Sequence, residues 1–147
     1  MNKQTTLLIS LQLEKDIFFF TQDSTIGIPN HLHILINKKD EMLFVCCTSQ
    51  EDTMNRLIKY RKLPESSIVW IKKDKENGLK KDDSFVNCNN IFSCAKDQFA
   101  DLIKQNKIRK TLGNISESHF EQIKIGLNDS PLVSDEIKDL FNINQIP

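Results

Sequence analysis

Between residues 16 and 92 five short apolar segments follow one another without a long helix between them, and this spacing constrains the fold more than any other feature. Residues 16–21 are too short and too aromatic for a helix of their own and read as a strand. Residues 31–37 alternate, with Leu32, Ile34 and Ile36 on one face and His31, His33 and Leu35 on the other. A polar turn at 38–41 leads into residues 42–49, a continuous apolar run that ends in Thr48 and Ser49, as a central strand emerging at a rim would. Residues 67–71 and 84–92 supply two further strands around a charged loop at Asn77 and Gly78, and residues 52–62 form a short basic helix that Pro64 closes.

Beyond residue 93 the period becomes helical. Phe99, Leu102 and Ile103 share one face, Phe120, Ile123 and Leu127 a second, and Ile137, Leu140 and Phe141 a third. Ser118 with Glu121 reads as a capping box for the middle helix, and Ser134 caps the last. Strands first and helices after predict an α+β domain over residues 1–147: a small closed or half-closed antiparallel barrel at about 12–93, with a helical tail at about 94–142. A barrel of this size needs large side chains inside, so Phe18, Phe19, Phe20 and Trp70 are expected mostly in the core rather than as a stacking platform for bases.

Charge and cysteine usage narrow the function classes. The net charge is zero, which argues against a general polyanion binder, but residues 54–84 carry nine basic against five acidic side chains. Arg56, Lys59, Arg61, Lys72 and Lys73 therefore form a candidate phosphate-attracting face. No apolar run is long enough for a bilayer, and the early apolar clusters lack the flanks of a signal peptide, so no membrane association is expected. Cys46, Cys47, Cys88 and Cys94 match neither a zinc pair nor a disulfide framework, which fits a reducing cytoplasm and buried thiols. His119 falls in a first helical turn and is assigned no role.

Three stretches resemble the PemK/MazF/Kid superfamily of toxin-antitoxin toxins. Asp16-Ile-Phe-Phe looks like that family's early Gly-Asp-Ile/Val strand, with Lys15 in place of the glycine. Residues 31–37, the hairpin, and the strand ending in Thr48-Ser49 look like its next two strands. Residues 84–92, then Gly113-Asn-Ile-Ser116, residues 120–127 and 130–134 are similar to the tail of PemK-like members. The resemblance implies an SH3-like barrel, a homodimer, an antitoxin partner, and metal-independent cleavage of single-stranded RNA without a cofactor. It implies a strand-end Thr or Ser in the site, here Thr48 and Ser49. The family's loop Arg has no counterpart, since Asn30, His31 and His33 stand in its region and the first arginine is Arg56.

Attack by a ribose 2′-OH requires a base for its proton, an acid for the leaving 5′-oxygen and a donor or cation for the phosphorane. His31 or His33 can move protons near neutral pH, Thr48 or Ser49 can donate to a phosphate oxygen, and Arg56, Lys59 or Lys72 can balance charge. Two other readings stay open. One is a catalytically inactive barrel that binds RNA or protein. The other follows from Pro29-Asn-His-Leu-His33, which looks like the His-hydrophobic-His metal motif of HUH single-strand DNA nucleases, although Tyr60, the sole tyrosine, lies too early for their nucleophile.

Overall fold

A computed structural model describes residues 1–141; the last residues of the expected domain, 142–147, lie outside the described part, including the end of the helical tail at 142. Its elements run α1 (Lys3–Ser10), β1 (Asp16–Phe20), β2 (His31–Asn37), β3 (Met42–Thr48), α2 (Glu51–Arg61), a single 3-10 turn (Glu65–Ser67), β4 (Ile68–Lys72), β5 (Asp83–Cys94), α3 (Lys96–Lys104), β6 (Ile108–Asn114), α4 (Glu117–Asp129) and α5 (Asp135–Asp139). The six strands form one sheet in the order β4-β5-β3-β2-β1-β6, and every pairing is antiparallel.

Alternation along the strands gives this sheet two apolar faces. Ile17, Ile34, Ile36, Val45, Val69, Ile71 and Val86 form one, covered by Ile123 and Leu127 of α4. Phe18, Phe20, Leu35, Met42 and Phe44 form the other, covered by Ile9 of α1 and by Phe99 and Leu102 of α3. The rings of Phe18, Phe20 and Phe99 lie 5.8, 5.1 and 5.6 Å from that of Phe44, which makes Phe44 the hub of this second core. Helices therefore flank both faces of the sheet.

Two expectations need correction. The strands do not close into a barrel, because β4 and β6 remain edges. The gap between them is spanned instead by the loop at residues 73–82, where the Asn114 N–H donates to the Glu76 carbonyl at 3.0 Å. Asn77 organises that loop: its Oδ1 accepts from the N–H groups of Asp74 and Leu79, and its Nδ2 donates to the Lys72 carbonyl. The tail is also not purely helical. It returns into the sheet as β6, an edge strand of Arg109, Lys110 and Thr111 in which only Ile108 and Gly113 are buried, so no apolar alternation announces it.

Gly113 shows how close the contact between loop and strand is. A Cβ there would sit 2.1 Å from the backbone oxygen of Asn77. Gly113→Ala is therefore expected to push the loop off β6 and cost roughly 1–3 kcal/mol, read as a lowered urea midpoint; an unchanged midpoint would contradict the closure.

The middle helix starts two residues earlier than the capping box implied. Ser116 keeps an extended backbone and its Oγ accepts from the His119 N–H at 3.1 Å, so Ser118 falls inside the first turn. Ser134 caps α5 as expected, accepting from the Ile137 N–H. No helix among the described residues is long and apolar enough to cross a membrane.

Candidate functional site

On the aromatic face of the sheet, where α1 and α3 no longer cover it, α2 stands off the strands and leaves a pocket of about 230 Å³. Its walls include His31, Thr48, Asn87, Asn90, Phe92 and Leu57. Register explains the meeting of the first two. Leu32 pairs with Cys47 and His33 with Cys46, so His31 and Thr48 are the next facing residues on adjacent strands.

The loop before β2 orients His31. Asn30 takes a left-handed backbone, φ 61°, and its N–H donates to the Phe20 carbonyl at 2.7 Å, which turns the chain into the strand. The His31 Nδ1 then lies 2.9 Å from the Pro29 carbonyl. A carbonyl only accepts, so Nδ1–H donates to it, and Nε2 has no hydrogen-bond partner among the described residues. Across the strand pair, Thr48 Oγ1 accepts from the Gln50 N–H at 3.2 Å, which leaves its own proton to donate. The pocket thus presents a base and a hydroxyl donor side by side.

His33 is different in kind. It is fully buried and stacked on Phe20 at 3.8 Å between ring centroids. Nε2 accepts from the Ile28 N–H at 3.1 Å, and Nδ1–H donates to the His31 carbonyl at 3.1 Å. Both nitrogens are committed to backbone, so His33 holds the loop that positions His31 and is not free for proton transfer, nor for ligating a metal jointly with His31. Gly27 completes this arrangement at φ 71°: a Cβ there would fall 2.7 Å from His33 Nε2.

Burial lowers the His33 pKa to about 4, and the proximity of His31 adds to that, against the raising effect of the hydrogen bond to the His31 backbone. The unfolded chain, with an ordinary imidazole, binds the extra proton between pH 6.5 and 4, so stability is full above pH 6.5 and lost as pH falls towards 4. In total this is roughly 3 kcal/mol. Unfolding free energies across that range, compared between the native chain and His33→Gln, check it; the variant is expected to lose this part of the slope.

The remaining predicted residues scatter. Ser49 is exposed beyond the end of β3, and it does not line the pocket with Thr48. Arg56, Lys59 and Arg61 are exposed on α2, Lys72 on β4 and Lys73 just after it, paired with Asp82 at 3.2 Å. None of these cations lines the pocket. Cys46 does, but burial pushes its thiol up to about 12, and the other three cysteines likewise, so none is a thiolate at neutral pH.

Sequence reading missed the amides. Between the pairs Val45 with Ile91 and Cys46 with Asn87, β5 bulges out over residues 88–90. The bulge sends Asn90 to the pocket and buries Asn89, whose Nδ2 donates to Ser67 Oγ at 2.8 Å and whose Oδ1 accepts from Ser130 Oγ at 2.6 Å. Asn87 Oδ1 accepts from the Asn89 N–H and from Asn89 Nδ2, and Asn87 itself lines the pocket. Asparagine is depleted in strands, so three of them at 87, 89 and 90 were the available signal.

Comparison of the chain with protein-family models, with curated proteins and with solved structures returns no match.

Proposed function

We propose that the pocket is where single-stranded RNA is bound and cut, as the PemK/MazF-like resemblance implies. The observation that carries this reading is the facing pair: an imidazole Nε2 and a hydroxyl proton that have no partner among the described residues, half-buried in one pocket. His31 Nε2 takes the proton of a ribose 2′-OH. The 2′-oxygen bonds to phosphorus, the bond from phosphorus to the 5′-oxygen breaks, and water protonates the leaving oxygen. Thr48 donates to a non-bridging oxygen as charge develops. The products are a 2′,3′-cyclic phosphate and a 5′-hydroxyl. Phe92 and Leu57 offer apolar walls, and Gln50, Asn87 and Asn90 offer amides, which together suit an unstacked base read on its edge.

A second reading, binding without cutting, is favoured by one specific observation: among the described residues no Lys or Arg lines the pocket, so the phosphorane has no adjacent cation there. The two separate cleanly. Incubating the protein with RNA in chelator and mapping new 5′ ends gives discrete 5′-hydroxyl termini under the first reading and intact RNA with retained binding under the second. The self-pairing and antitoxin partner implied by the resemblance belong to the same proposal, and light scattering and co-expression with a neighbouring reading frame test them.

A further inference from the structure

The transverse row of side chains that contains His31 and Thr48 continues across the sheet to its edge. Thr48 pairs with Phe85, and Phe85 pairs with Trp70 of β4. Directly paired residues point to the same face, so the row reads Trp70, Phe85, Thr48, His31 on the face that carries the pocket. The sequence led us to expect Trp70 in the core, yet it is 53% exposed, while Phe18 and Phe20 are fully buried.

The exposed indole is not loose. Its Nε1–H donates to Asp83 Oδ1 at 2.9 Å, which fixes the ring on the edge strand, and the Lys72 ammonium lies over it, 5.0 Å from its centroid. We propose that Trp70 is a base-stacking residue for a single-stranded RNA that crosses the sheet from the pocket to β4, resting on the RNA reading given above. Two strand spacings separate Thr48 from Trp70, about 10 Å, a distance that an extended strand covers in one or two nucleotides. A preorganised ring loses little freedom when a base stacks on it, and stacking tolerates any base. Lys72 over the ring, with Arg56 and Lys59 exposed on α2, supplies the positive charge that a phosphate backbone needs and that the pocket itself lacks.

Trp70 is the sole tryptophan, which makes the test direct. A labelled single-stranded oligonucleotide with 2′-fluoro sugars, which carries no 2′-hydroxyl nucleophile, is titrated into the full chain while label anisotropy and tryptophan emission are followed together. The expected result is a rise in anisotropy with parallel quenching of the indole. Trp70→Ala weakens binding between about fivefold and a hundredfold at an unchanged urea midpoint, and Trp70→Phe falls between the two. A rise in anisotropy with unaltered emission, or native affinity in Trp70→Ala, overturns the stacking role while leaving the pocket reading intact. No anisotropy change at any concentration overturns both.

Discussion

His31→Ala is expected to lower the rate of RNA cleavage by about a hundredfold to ten-thousandfold, the usual contribution of a positioned general base. The substitution leaves the fold in place, because His31 is only half-buried and its ring bonds one carbonyl of an exposed turn. His33 and Phe20 still hold the loop beneath it. The check is single-turnover cleavage with protein in excess over RNA, together with an unfolding curve to show that structure is retained. Thr48→Val, which keeps the shape and removes the donor, is expected to act in the same direction by a smaller factor. Native rates in both variants would remove the mechanism.

Phe44→Ala is expected to be the most damaging change to stability, costing about 3–5 kcal/mol. The ring has no exposed surface and packs against Phe18, Phe20 and Phe99, so truncation opens a cavity between β3, β1 and α3 that backbone relaxation cannot fill. The effect reaches the site as well. Phe20 lies between Phe44 and His33, and loosening it frees the stack that anchors the loop bearing His31. A urea midpoint within error of the native protein would show that the aromatic face is not the second core.

The strands with clear apolar signatures were legible in the chain before any coordinates. The alternation of His31 to Asn37 and the run from Met42 to Ser49 gave both β2 and β3 their bounds within a residue, because both are central strands whose burial the pattern reflects directly. Edge positions broke the same logic. β6 buries only Ile108 and Gly113, and Trp70 on β4 looks apolar but lies on the exposed face of that strand, while Val69 and Ile71 on the other face pack in the core with α4. The helix α1 was missed as well: Asn2 caps it, but Leu7 and Leu11 are exposed while Thr5 is buried, so its apolar residues do not trace its inner face. Of the candidate site, the alternation at residues 31–37 and the hydroxyl end of the 42–49 run made the strand positions of His31 and Thr48 readable. The burial of His33 and the bulge that delivers Asn90 were not readable, since both depend on which loops and strands pack over them.

On the proposal above, nucleic acid engages the pocket shared by residues 31 and 48. The most direct measurement is the backbone amide spectrum of the isotope-labelled chain during titration with the 2′-fluoro oligonucleotide. The perturbations expected on that proposal are concentrated at His31, Thr48, Gln50, Asn87 and Asn90 and extend to Trp70. Perturbations confined to the opposite face of the sheet, where Leu32, Leu79 and Gly113 line a larger cavity of about 580 Å³ beneath the 73–82 loop, would contradict it.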